Sequence, residues 1–195
     1  LSATSGAAAG IVDSGNVAVS GDVTLTTDAN NGVINLGTLQ QSGGDLVLTT
    51  NGTGDATVVN NAAIDFGASN VGGALSATAS AGTITQNGGT LTVAGTSAFT
   101  TSTADQAITL SNTANALTGA VLLTTSGTAG HVTIDNGTTA LGVQGTVSGD
   151  FALTSGEAII DSDVLTVTGT TTVTTDVADK ATNLGSLAST GNAIV

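Results

Sequence analysis

Apolar and polar residues alternate over short stretches along almost the whole chain. In "DVTLTT" Val23 and Leu25 alternate with polar neighbours, and in "HVTIDN" Val132 and Ile134 alternate with Thr and Asp. In "DVLTVTG" Leu165 and Val167 do the same, with Val164 as an additional apolar residue. A period of two turns one face of an extended segment toward an apolar interior, which is the pattern of a half-buried strand. Val, Ile and Thr favour that backbone. The runs are short, and Gly, Asn, Asp and Ser, which accept the dihedrals of tight turns, cut them apart. No segment carries an apolar stripe at helical spacing. "TSGAAAGIV" near the start is rich in Ala but short and broken by Gly. The pattern predicts an all-β chain.

The strands are organised by a long internal repeat. "VAVSGDVTLTT" at 17–27 returns as "LTVAGTSAFTT" at 91–101 and as "LTVTGTTTVTT" at 165–175, each 74 positions further on. The columns continue past the phrase: Ile34, Ile108 and Thr182; Leu36, Leu110 and Leu184; and a turn column of Asn31, Asp105 and Asp179. The middle of the unit repeats with a slip of one or two residues. "LVLTTNGT" from Leu46 matches "VLLTTSGT" from Val121, and "GALSAT" from Gly73 matches "GDFALT" from Gly149. Small slips at turns with the apolar pattern kept are what stacked repeats tolerate.

About eight strands per repeat fit two architectures. One is a parallel β-helix, or β-solenoid, with three or four coils per repeat and neighbouring strands about 4.8 Å apart. The other is a row of small antiparallel β-sandwiches, one per repeat. The dipeptides Asn31-Gly32, Asn51-Gly52, Asn87-Gly88 and Asn136-Gly137 are hairpin signals and favour the sandwich at first sight. Solenoid corners need left-handed residues too, so the dipeptides do not decide. Composition does. The chain has three Phe and no Trp, Tyr, Met or Pro. A sandwich core wants an aromatic anchor, whereas a narrow interior of stacked, similar layers does without one. A solenoid running over 1–195 is therefore expected, its three phrases marking layers that lie one on another. Because Leu1 is not an initiator Met and no leader pattern opens the chain, the segment reads as part of a longer repetitive protein.

Charge narrows the partners. Fourteen acids, thirteen of them Asp, stand against Lys180, for a net charge of −13. Without cations there is no electrostatic term for nucleic acid and none for anionic lipid. No apolar run reaches the roughly 20 residues of a membrane-spanning helix. There is no Cys, which removes disulfides and thiolate metal sites.

Few residues carry candidate chemistry. His131 is the only His, so no multi-His metal site or His-based triad with a second base can form. It is expected as an exposed side chain beside a turn. Lys180 is expected to pair with Asp176 or Asp179, its neighbours in "DVADKATN". Asp161 and Asp163 in "DSD" would share one side of a strand, where two carboxylates could do acid–base work or hold Ca²⁺. Asp55 in "NGTGDATVV" lies near a Gly-rich turn, but its spacing is wrong for a calcium-binding nonapeptide. The plainer role for these acids is turn capping, so no catalytic, cofactor or metal residue is assigned and no enzyme is expected. Threonine phrases such as "TLTT" and "TTTVTT" would bind ice only if Thr-x-Thr recurred in register on every coil, which a repeat of 74 does not supply.

The stretch "GTLTVAGTSAFTTSTADQAITLSNTANALTGAVLLTT", together with "GEAIIDSDVLTVTGTTTVTT", resembles the shaft repeats of filamentous-haemagglutinin-type adhesins, and the likeness runs from about Asn16 onward. That resemblance implies a right-handed parallel β-helix rod, exported by two-partner secretion and held at the bacterial cell surface. The expected function is a structural shaft segment of an extracellular fibre. Its partners would be neighbouring repeats or copies of itself end to end, and a host or neighbouring cell surface. The alternative is an adhesin module that recognises a glycan or a host protein.

Overall fold

Every strand pairing described is parallel, and each joins residues about one coil apart in sequence. Leu141 pairs with Ile159, 18 residues on, at the short extreme. Ile84 pairs with Ile108, 24 residues on, at the long one. The structure, a computed structural model, describes residues 1–191 fully and the backbone of Ala193 and Ile194. Positions 192 and 195 of the expected segment lie outside the described residues. The 24 strands form two long parallel sheets of 13 and 11 strands, and no helix occurs among the described residues. The chain crosses from one sheet to the other and back at each turn, building a β-solenoid of about 9 coils. Antiparallel sandwiches are set aside by the uniform direction of the ladders.

Call the 13-stranded sheet the front and the 11-stranded sheet the back. The inward residues of both make one continuous core in which Val, Leu, Ile and Ala predominate. The alternation read from sequence is its cause: Val23, Leu25 and Thr27 are buried while Thr24 and Thr26 between them are partly exposed. The core is less purely aliphatic than expected. All three Phe are fully buried, and Phe66 from the front sheet meets Phe99 from the back edge to face, centroids 6.2 Å apart at 81°. An edge-on pair fills the space between the two sheets and favours the ring quadrupoles.

The three phrases do not lie one on another. Val17–Val19 belongs to the back sheet, Leu91–Val93 to the front and Leu165–Val167 to the back again. Seven coils separate the first copy from the third, which begins 148 positions later. A repeat of 74 is therefore three and a half coils. The underlying unit is a half-coil, one strand segment and one corner, which looks alike on either face. Each long repeat thus reappears on the opposite side of the rod.

The corners obey the same rule. Asn31, Asp105 and Asp179 have φ of 61°, 62° and 63°, left-handed values that Asn and Asp accept more readily than other non-Gly residues. Two corner threonines at the same spacing brace the turn from inside. Thr27 Oγ1 donates to Gly32 O at 2.8 Å and Thr101 Oγ1 to Gln106 O at 3.1 Å. Thr50 and Thr125 do likewise to Gly54 O and Gly130 O.

Candidate functional site

The charged residues are distributed as fasteners between coils. Six Asp side chains accept a backbone N–H from the coil that follows. Asp13 takes Thr38 at 2.7 Å, Asp22 takes Asp45 at 3.0 Å and Asp55 takes Ala74 at 2.7 Å. Asp105 takes both Thr128 and Ala129, Asp150 takes Thr170 at 2.8 Å, and Asp161 takes Ser186. The direction is constant: the carboxylate belongs to the earlier coil and the donor to the later one. Each contact joins nearest neighbours along the rod.

Three of these acids are held below the ordinary carboxylate value. For Asp13, slight desolvation pulls upward but the hydroxyl and N–H of Thr38, with backbone donors nearby, outweigh it. The two backbone donors from Thr128 and Ala129 lower Asp105. The Ser186 hydroxyl, followed by its N–H, lowers Asp161. Donors that favour the anion shift the equilibrium in this way.

Asp161 and Asp163, which could have shared one side of a strand but read more plainly as turn caps, have separate duties in the structure. Asp161 holds Ser186, whereas Asp163 Oδ1 accepts the N–H of Val164 at 2.7 Å. They sit where the ladder slips: Val143 pairs with Asp161 but Gly145 with Leu165. Three residues therefore face one, and "SDV" is pushed out as a ridge on which Val164 is 62% exposed. Among the described residues no group of three or more His, Cys, Asp or Glu gathers in metal-binding proximity. Asp55 serves its neighbouring coil alone.

His131 stands 76 positions after Asp55 and does the same work. Its Nδ1 accepts the Asp150 N–H at 2.9 Å, with Asp150 Oδ2 at 3.5 Å. It is half exposed as expected, but it is engaged. Lys180 does not use Asp176 or Asp179. Its Nζ meets both oxygens of Glu157 at 2.8 Å, one coil back. The single Lys and the single Glu of the chain thus find each other, 23 residues apart in sequence, a separation that only the coil length explains.

Two features escaped the sequence reading. Buried amides stitch coils from inside. Asn60 Oδ1 accepts the Gln41 N–H while its Nδ2 donates to Gln41 O and Ala63 O. Asn136, 76 positions later and on the other sheet, accepts from Leu117 N–H and donates to Leu117 O, Thr139 O and Ala140 O. The second feature is a threonine file on the back sheet: Thr78, Thr100, Thr124, Thr146 and Thr166 pair in direct succession. It is one column wide. The neighbouring column reads Ser76, Ala98, Leu122, Gln144, so the two-wide Thr-x-Thr lattice is not formed. Coils of unequal length hid the file, because its spacings vary while the long repeat is constant.

The surface offers open troughs, such as the one bordered by His131, Val132, Thr133, Asp150 and Ala152. Two stretches, residues 53–124 and 129–194, match a family described as repeats of unknown function (DUF5649). Both matches begin one coil after a left-handed Asn31 or Asp105, at the residue whose N–H that side chain accepts. Comparison with curated proteins and with solved structures finds no match to the chain. The matched stretches take in well over half of the molecule, and the chain belongs to this repeat family.

Proposed function

Taking that membership as the premise, we propose that the chain is a segment of a structural shaft, part of an extracellular fibre or adhesin at a bacterial cell surface. The observation that carries the reading is the direction and range of the fasteners. Backbone ladders, the six Asp staples and the buried amides tie each coil to its neighbour along the rod, and Asn87 Nδ2 on Asp45 Oδ1 reaches across two coils. An assembly of this kind gains stability by adding units and transmits tension along its axis. Recognition surfaces are usually marked by convergent polar groups in a recess, and here six Asp, His131 and the Lys180–Glu157 pair are engaged with an adjacent coil instead.

The extracellular reading rests on the resemblance to filamentous-haemagglutinin shafts and on an outer face of Thr, Ser and Asn with few charges. End-to-end association is part of the proposal: a coil starting at Leu165 repeats the design of the coil starting at Val17, so the design of one coil fits that of a coil from another copy. Negative-stain microscopy tests this directly. Rods that lengthen with protein concentration, and surface labelling of intact producing cells, are expected. Dispersed compact particles at every concentration, with saturable capture of one glycan on an array, would favour the adhesin-module alternative instead.

A further inference from the structure

We propose that Asn87 converts spontaneously to an acidic residue, and that the carboxylate so formed closes an inter-coil staple which the other copies of the repeat carry as aspartate. The position is one column of the repeat: Asp13, Asn87 and Asp161 stand 74 apart. Their partners form another: Thr38, Asn112 and Ser186. In the outer copies the staple is made twice over. Asp13 Oδ2 accepts from Thr38 N–H at 2.7 Å and from its hydroxyl at 2.8 Å. Asp161 Oδ2 accepts from Ser186 N–H and from its hydroxyl at 2.6 Å. In the middle copy the amide is turned away. Asn87 Nδ2 donates to Asp45 Oδ1 at 3.0 Å, and the Asn112 N–H keeps a long bond of 3.4 Å to Gln86 Oε1.

The chemistry needs only the chain and water. The backbone nitrogen of Gly88 attacks Cγ of Asn87. A C–N bond forms, the bond from Cγ to the amide nitrogen breaks, and ammonia leaves carrying the Gly88 proton. Water then adds to one carbonyl of the five-membered imide. Opening at Cγ yields aspartate, and opening at the backbone carbonyl yields isoaspartate. No electrons are transferred. The aspartate product places a carboxylate where the amide met Asp45, whose charge repels it toward the donors of Asn112.

Four Asn-Gly pairs exist, and their surroundings separate them. Gly32 is buried and its N–H is bonded to Ala29 O at 3.0 Å. Gly137 N–H is bonded to Asp135 Oδ1 at 2.9 Å, next to an Asn136 whose buried amide is fully used. Gly52 is exposed, but its backbone lies against the Asn30 and Asn31 side chains of the preceding coil. Gly88 alone has open space: nothing lies within 4 Å of where a side chain would start, and its φ is +72°. Asn87 and Gly88 are both exposed and lie between strands Ile84–Gln86 and Leu91–Val93, with the Asn87 N–H on Phe66 O at 3.0 Å and Gly88 O accepting from Asn112 Nδ2 at 2.8 Å.

The test has two arms on the intact chain. Folded protein is aged in mildly alkaline buffer, digested and mapped by mass spectrometry, with enzymatic methylation to report isoaspartate. Conversion at Asn87 well ahead of Asn31, Asn51 and Asn136 is expected, and Asn87→Gln removes it. Equal rates at Asn87 and Asn136 in the folded chain overturn the conversion. In the second arm, amide exchange at Asn112 is compared between Asn87→Asp and Asn87→Gln. Protection about tenfold greater in Asn87→Asp is expected, the equivalent of one ordinary hydrogen bond. Identical exchange overturns the staple.

Discussion

Two kinds of side chain tie one coil to the next, and they do so in opposite surroundings. At the corners the amides of Asn60 and Asn136 are fully buried, and each satisfies one N–H and at least two carbonyls. On the outside the carboxylates of Asp13, Asp105 and Asp161 hold two or three donors in contact with solvent. The inner fasteners both donate and accept, which a carboxylate cannot do. The outer ones only accept, and water carries their charge. The division teaches why the chain places acid so freely on its surface and keeps its interior corners neutral.

The sharpest break of this comparison is an exchange of types. Asn136→Asp sets a buried carboxylate against the carbonyls of Leu117, Thr139 and Ala140, and a loss of roughly 3 kcal/mol or more is expected. Asn31→Asp makes the same chemical change at an exposed corner whose counterpart is already Asp105. There the expected change lies within about 0.5 kcal/mol. Thermal or denaturant unfolding of the two variants side by side checks the pair, and similar losses in both would undo the distinction.

A second contrast concerns buried hydroxyls. Ser97 Oγ and Thr171 Oγ1 are buried and have no partner, while the first copy of the repeat has Val23 in that column. Replacing an unpaired buried hydroxyl by a methyl of the same shape removes a desolvation cost. Thr171→Val is expected to stabilise by about 1 kcal/mol, read as a raised melting temperature.

Acid separates the two kinds of fastener without mutation. Asp13, Asp105 and Asp161 have folded values below the ordinary 3.8. In that range the unfolded chain binds more protons than the folded one. Their contribution is complete above about pH 4 and is lost as pH falls through the lowered values. Melting temperature should fall from pH 4 downward, and more gently in a variant carrying Asp13→Asn, Asp105→Asn and Asp161→Asn together. A triple variant with an unchanged acid limb would show that the staples do not set it. The smallest effect is expected at Lys180. Its pair with Glu157 is partly exposed, so Lys180→Met should cost at most about 1 kcal/mol, less in high salt.

Much of this was legible beforehand, and the reasons are specific. Val23 and Leu25, Val132 and Ile134, Leu165 and Val167 declared strands by alternation and proved to be the buried residues of those strands. The turn column of Asn31, Asp105 and Asp179 declared corners, and all three are left-handed. The partners were not legible. Glu157 for Lys180, Ser186 for Asp161 and Asp150 for His131 lie one coil away, at separations from 19 to 25 residues. No local pattern encodes such a distance.

What the chain determined by itself was its period-two burial, its parallel stacking and its long repeat, because these follow from residue size, polarity and backbone preference at each position. The tertiary structure alone decided that copies of the repeat face opposite ways. Coil length sets that outcome, and it varies from 18 to 24 residues as corners gain or lose a residue. Only the closed path of the backbone converts a spacing of 74 into three and a half turns, and with it which acid meets which donor.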